Sequence, residues 1–184
     1  TVGVTAELVD RYNVPGPRYT SYPTAPEWLD NFGPAEFEKS FEESNAAQPQ
    51  RPLSLYLHLP FCDSLCLFCG CNVVITKHRD VTDIYLDYLD REIDLLAAHL
   101  PRRRHISQLH WGGGTPTFIS RDQMADLMEM TRRHFRLADD NVGEFSIEID
   151  PRSVDTGDIE ALAFMGFNRA SLGVQDFDPV VQKA

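Results

Sequence analysis

The chain has 184 residues, of which 42% are hydrophobic and 24% charged, a balance ordinary for a globular protein. With 28 acidic against 17 basic residues the net charge is −11, so no basic stripe is available to neutralise phosphates and nucleic acid is not an expected partner. No apolar run approaches the ~18 residues of a membrane-spanning helix, and the opening Thr-Val-Gly-Val-Thr has no basic segment leading into an apolar one. A cytoplasmic protein without a membrane span is expected.

Residues 5–12 read as a short helix. Over 13–34, Pro15, Pro17, Pro23, Pro26 and Pro34 with Gly16 and Gly33 predict an extended arm. A helix follows at 35–45 and a strand at 52–59. Tyr85, Leu89, Ile93, Leu96 and Leu100 then recur at spacings of three and four, an amphipathic helix. A strand at 105–111 runs into Gly112-Gly113-Gly114. Ser120 and Gln123 form a capping box for a helix that should bury Met124, Leu127, Met128, Thr131 and Phe135. A strand at 144–149 ends at Asp150-Pro151. A short helix carrying Ile159, Leu162 and Ala163 closes at Gly166, and a last strand is expected at 168–175.

This alternation predicts an α/β protein with a parallel sheet or barrel. Residues 1–50 are read as an N-terminal arm with helices. Residues 51–184 have room for about four βα units at ~30 residues each, whereas a closed eight-unit barrel takes about 250 residues. The strands alternate rather than running apolar throughout. Leu53, Leu55, Leu57 and Leu59 oppose Ser54, Tyr56 and His58; Phe145, Ile147 and Ile149 oppose Glu144, Ser146, Glu148 and Asp150; Ala170, Leu172 and Val174 oppose Arg169, Ser171, Gly173 and Gln175. Strands buried on both faces would read as continuous apolar runs. With the apolar faces against helices, the other face is polar, which suits a polar ligand.

All four cysteines, Cys62, Cys66, Cys69 and Cys71, lie in the one stretch Phe61-Cys-Asp-Ser-Leu-Cys-Leu-Phe-Cys-Gly-Cys-Asn72. The spacing is C-x3-C-x2-C with one further cysteine. No second C-x-x-C and no H-x3–5-H occurs, so the usual structural zinc patterns are unmet. Thiolates suit zinc or an iron–sulfur cluster. Three of them on a four-iron cluster would leave one iron open, as a catalytic centre requires.

C-x3-C-x2-C with Phe68 before the third cysteine resembles the cluster loop of the radical S-adenosylmethionine enzymes. Further stretches narrow the resemblance: Gly16-Pro-Arg-Tyr-Thr-Ser-Tyr-Pro-Thr-Ala25, Ser54-Leu-Tyr-Leu-His-Leu-Pro-Phe-Cys62, Phe68-Cys-Gly-Cys-Asn72, His110-Trp-Gly-Gly-Gly-Thr-Pro116 and Gly173-Val-Gln-Asp-Phe177. Together, and in this order, they resemble the oxygen-independent coproporphyrinogen III oxidases of haem biosynthesis. The resemblance implies a partial (β/α) barrel, of which residues 51–184 would be the first four units, with further strands and a C-terminal domain beyond.

It also implies cofactors and roles. Cys62, Cys66 and Cys69 would hold a [4Fe–4S] cluster, while Cys71 would follow the ligands without binding iron. Tyr56, Phe68, Gly113, Gly114, Thr115 and Glu148 would contact S-adenosylmethionine, and Gln175 a second molecule of it. The implied reaction begins with an electron passing from the reduced cluster to S-adenosylmethionine, whose C–S bond breaks to give a 5′-deoxyadenosyl radical. Two propionates of coproporphyrinogen III then each lose a hydrogen to such a radical, release CO2 and, once an acceptor takes the last electron, become the vinyls of protoporphyrinogen IX. An electron donor to the cluster is required, and a monomer is expected.

For several residues a plainer alternative stands. Glu148 could pair with Arg169, the glycines could make a mere turn, and His58 is read as a core histidine. Arg18, Tyr19 and Tyr22 could anchor the arm or bind substrate carboxylates. The four carboxylates of the substrate sit uneasily with a charge of −11, so recognition would fall to local arginines. A haem-binding chaperone of the same superfamily and a plain iron–sulfur electron carrier are the alternative functions. Residues 1–184 alone are expected to bind a cluster poorly and to turn over no substrate.

Overall fold

A computed structural model describes residues 3–14, 24, 27–67, 69–138 and 142–183. Two compact units, residues 1–39 and 40–184, divide within the second helix. In the first unit, α1 (Ala6–Tyr12) starts where the Thr5 hydroxyl accepts from the Leu8 N–H, and it buries no side chain. The proline-rich stretch 15–23, with Arg18, Tyr19 and Tyr22, lies outside the described residues, as does Phe68. The second helix, α2 (Pro34–Ala47), opens where Glu36 accepts from the Gly33 N–H.

In the second unit four parallel strands lie in chain order, each joined to the next by a helix. They are β1 (Leu53–Leu59), β4 (His105–Gly113), β6 (Glu144–Ile149) and β7 (Arg169–Leu172). The connecting helices are α3 (Val81–Ala98), α4 (Arg121–His134) and α5 (Thr156–Met165). Short strands β2 (Phe61–Cys62) and β3 (Val74–Ile75) pair in parallel with each other, and β5 (Arg136–Leu137) pairs with the start of β4. No helix among the described residues is long and apolar enough to cross a membrane.

The core fills the space between one face of the sheet and the helices. Leu57, Leu59, Ile106, Leu109, Trp111, Phe145, Ile147 and Ile149 from the strands meet Leu86, Leu89, Ile93, Met124, Leu127, Met128 and Leu162 from the helices. Trp111 is fully buried, edge-on to Phe167 at 4.8 Å between ring centres, and its indole N–H has no hydrogen-bond partner among the described residues. The expected capping box at Ser120 and Gln123 is present, the five residues expected to be buried after it are buried, and Gly166 ends α5 with φ of 99°.

Three expectations need correcting. The buried stripe of α3 is Thr82, Leu86, Leu89, Ile93 and Ala97 rather than one through Leu96, because Leu86 and Ala97 face the sheet. Ile159 and Ala163 are exposed on α5, which buries Leu162 and Met165 instead. The last strand ends at Leu172, not at 175, and the apolar side chains expected to pack there are uncovered: Leu172 is 54% exposed, and Val174, beyond the strand end, is 53% exposed. In β4 the simple alternation breaks, because Ser107 is an extra residue between the pairs Leu53–Ile106 and Ser54–Gln108. Ile106 and Leu109 can therefore both face the core.

Leu109→Ala should cost about 2–5 kcal/mol of stability, read from urea denaturation, since a wholly buried leucine leaves a cavity between sheet and helices. A second expectation concerns pH. Arg121 donates to both Asp155 and Asp158, at 2.6 Å each, and holds the Asp158 carboxyl below its ordinary value. A folded-state value lying below the unfolded one stabilises the fold above the ordinary carboxylate range and is lost as pH falls through the folded value. Asp158→Asn should thus cost more at pH 7 than at pH 3; an equal cost at both would remove the ion pair from the account.

Candidate functional site

The polar face of the sheet is layered, because parallel register brings alternate residues of neighbouring strands side by side. Ser54, Gln108 and Glu144 share one row, Tyr56, His110, Ser146 and Arg169 the next. Beyond them His58 pairs with Gly112, and Glu148 with Ser171. Side chains of the first two rows border a cleft of about 260 Å3. Arg169 pairs with Glu144 at 3.0 Å, which leaves Glu148 outside that ion pair.

Glu148 instead takes two donors from β4. One oxygen accepts from the Gly113 N–H at 3.1 Å, and the other lies 3.3 Å from Nε2 of His110. A carboxylate only accepts, so Nε2 carries a proton toward Glu148, while Nδ1 lies 2.6 Å from the Ser146 hydroxyl, which also donates to Leu109 O at 3.4 Å. Tyr56 stacks on the His110 ring, with centres 5.7 Å apart and planes at 14°. Burial, then the nearby Glu148 carboxylate, raises the pKa of the Tyr56 phenol and keeps it protonated. Gly112 makes this convergence possible. A Cβ there would lie 2.9–3.1 Å from His110, Tyr56 and Glu148 atoms.

The cysteine loop rises from the C-terminal end of β1. Pairing of β2 with β3 closes it: the Val74 N–H donates to Pro60 O and the Thr76 N–H to Cys62 O, so residues 63–73 form one excursion. The glycine loop docks on its base. The Gly114 N–H donates to Leu59 O at 2.9 Å and the Thr115 N–H to Phe61 O at 2.8 Å. A Cβ on Gly114 would sit 2.6 Å from the Pro60 oxygen, so only glycine permits this approach. Sγ of Cys62 then lies 3.4 Å from the Thr115 hydroxyl.

Arg79 clamps the same base. It forms a two-pronged pair with Asp63, donates to Phe118 O, and lies 3.6 Å from the centre of the Phe118 ring.

Each expected site residue except Phe68, which lies outside the described residues, can now be placed. Tyr56, Gly113 and Glu148 converge at the C-terminal half of the strands, and Gly114 and Thr115 sit against the cysteine loop. Burial raises the pKa of Cys62, and the neighbouring Cys69 and Cys66 add to the shift. Cys71 is also raised, by burial and then by Cys69 beside it. Gln175 lies past the end of β7, exposed, in the left-handed region with φ of 67°. Among the described residues no hydrogen bond joins it to the other candidates. His58 is not a core histidine: it sits on the polar face, with Nε2 donating to Asn72 O and Nδ1 accepting from the Tyr56 hydroxyl, 2.9 Å each. It links β1 to the far end of the cysteine loop. Sequence reasoning also passed over His110 and Gly112, whose place follows from register with Tyr56 and Ser146.

The donor set suits an iron–sulfur cluster rather than a single ion. Among the described residues no three ligating side chains converge tightly enough to hold one metal. Three soft thiols spread along one short loop suit an iron–sulfur cluster, which can take thiolates at separate irons.

The family model described as the Radical SAM superfamily matches residues 56–184. Relatives called oxygen-independent coproporphyrinogen III oxidase include one from Pseudomonas aeruginosa, 49% identical over the whole chain and 40% of the relative. One from Escherichia coli K12 is 49% identical over 96% of the chain and 37% of the relative. The chain thus spans about two fifths of the length of these relatives. A relative of that name from Mannheimia haemolytica is 53% identical over 78% of the chain and 94% of its own length. Among solved structures, coproporphyrinogen III oxidase from Escherichia coli, described as a radical SAM enzyme, superposes with a TM-score of 0.80 at 47% identity, over 90% of this chain and 36% of that one. The chain belongs to the radical SAM superfamily and, within it, to the oxygen-independent coproporphyrinogen III oxidase family.

Proposed function

We propose that the protein converts two propionates of coproporphyrinogen III to vinyl groups, giving protoporphyrinogen IX, with a [4Fe–4S] cluster and S-adenosylmethionine. The observation that carries this is the docking of the cysteine loop on the glycine loop. It puts Cys62 beside Thr115 at the strand ends where barrel active sites lie, with Tyr56 and Glu148 on the polar face below. When bound, the cluster supplies the single electron that cleaves the sulfonium of S-adenosylmethionine and starts hydrogen abstraction. An electron donor, a monomeric state and a cytoplasmic location belong to the same proposal, as do the arm at 1–50 and the barrel segment at 51–184.

Cys62, Cys66 and Cys69 hold three irons and leave one position open, with Cys71 outside the ligand set. Glu148, fixed by Gly113 and His110, keeps lone pairs for the ammonium group of a bound amino acid moiety. Tyr56, anchored by His58 and stacked on His110, presents a hydroxyl and a ring edge to the same ligand. Gly113, Gly114 and Thr115 offer carbonyl and hydroxyl groups with little side-chain bulk in the way, their N–H groups being engaged by Glu148, Leu59 and Phe61. Phe68 contacts the adenine, and Gln175 a second S-adenosylmethionine. The polar face of the sheet favours an enzyme over a plain electron carrier, which needs no such surface.

The decisive assay is anaerobic reconstitution of the protein expressed over its whole reading frame, supplied with reductant, S-adenosylmethionine, coproporphyrinogen III and a one-electron acceptor for the last electron of each decarboxylation. 5′-Deoxyadenosine and protoporphyrinogen IX should both accumulate. Tight haem binding with neither product would point to the chaperone instead.

Cys62→Ala, Cys66→Ala and Cys69→Ala should each abolish the four-iron EPR signal, whereas Cys71→Ala should retain it; a cluster lost only with Cys71 would overturn the ligand set. Glu148→Gln should keep its iron but bind S-adenosylmethionine about tenfold or more weakly, as loss of one charge-assisted contact implies. Equilibrium dialysis checks this.

A further inference from the structure

We infer that Arg152 is a positioning residue for the cysteine loop, acting on the sulfur of Cys66 so that the bound cluster is easier to reduce. The inference rests on Cys62, Cys66 and Cys69 being the cluster ligands. Nη2 of Arg152 lies 3.9 Å from Sγ of Cys66, although 86 residues separate the two in sequence. The guanidinium is held in place rather than left to wander. Its Nε donates to Oδ1 of Asp150 at 3.0 Å and its Nη2 to Oδ2 at 2.8 Å. The Arg152 backbone N–H also donates to Asp150, and the Ser153 hydroxyl closes the turn on Asp150 O at 2.9 Å. This turn begins immediately after β6, so one strand end carries both Glu148, held at Gly113, and Arg152, which reaches the cysteine loop.

Asp150 engages only part of the guanidinium, which carries five N–H donors and stays charged at any working pH. One-electron reduction adds a negative charge to a thiolate-ligated cluster. A cation and hydrogen-bond donor beside a ligand sulfur stabilises that added charge and raises the potential. Partial neutralisation by Asp150 and exposure to water limit the effect to about a tenfold change in the ratio of reduced to oxidised cluster, or 59 mV for a one-electron couple.

The test is an EPR-monitored redox titration, with dithionite and mediators, of the whole protein reconstituted without oxygen. Arg152→Gln should keep the iron and sulfide content of the unsubstituted protein and show about a tenfold lower reduced-to-oxidised ratio at a fixed potential. Arg152→Lys should recover most of the loss. Arg133→Gln, which removes a paired arginine on α4, should titrate like the unsubstituted protein. An unchanged ratio in Arg152→Gln overturns the inference. If Arg152→Gln takes up no iron, Arg152→Lys decides. A cluster at the original potential supports the role of the charge, and failure of both variants to take up iron shows a merely structural arginine and overturns it. An unsubstituted protein without a cluster overturns the ligand assignment itself.

Discussion

The close approach of the Gly114 backbone to Pro60 and Phe61 is the constraint on which the site depends. Parallel pairing of β1 and β4 ends with Leu59 opposite Gly113, and two further backbone hydrogen bonds carry it past the strand ends. Those bonds place the first cysteine beside the threonine that follows the glycines. Neither loop could occupy this position with a side chain between them. The contact also lies where both strands are covered by the core below, through Leu59 and Trp111, so it is anchored to the most buried part of the molecule.

From that junction the polar face is organised by register. Tyr56, His110 and Ser146 stand side by side, and the missing side chain of Gly112 leaves the space into which Tyr56, His110 and Glu148 lean. Each polar group there has a partner: the phenol on His58, the imidazole on Ser146 and Glu148, the carboxylate on the Gly113 N–H. Polar side chains tied to one another hold a fixed arrangement better than solvated ones, because each contact limits the rotamers of the next.

Electrostatics is local in this chain. The net charge of −11 says little about the site, where cations are placed singly against specific acceptors. Arg79 braces Asp63 beside Cys62, and Arg152 reaches from Asp150 towards Cys66. At the other edge of the sheet Leu172 and Val174 are uncovered, and Phe164 on α5 is 93% exposed. The apolar face that the sequence pattern assigns to this strand is therefore present as a pattern and lacks a covering layer among the described residues.

The sequence alone determined the α/β alternation, the strand at 144–149, the capping box at Ser120, the helix stop at Gly166 and the separation of apolar from polar strand faces. These follow from side-chain period, cap chemistry and backbone freedom, all of which act within a few residues. The cysteine spacing made the candidate cluster loop legible for the same reason, since its four thiols lie on one short stretch. Only the tertiary structure decided the partners. It set Arg169 on Glu144 and Glu148 on His110, moved the buried stripe of α3 onto Leu86 and Ala97, and turned His58 from an expected core residue into a link to Asn72. It likewise brought Arg152 to Cys66 and ended the last strand at Leu172. Such contacts depend on inter-strand register, on the extra residue Ser107 in β4 and on where each helix axis settles over the sheet. These join residues tens of positions apart, beyond the reach of any local period.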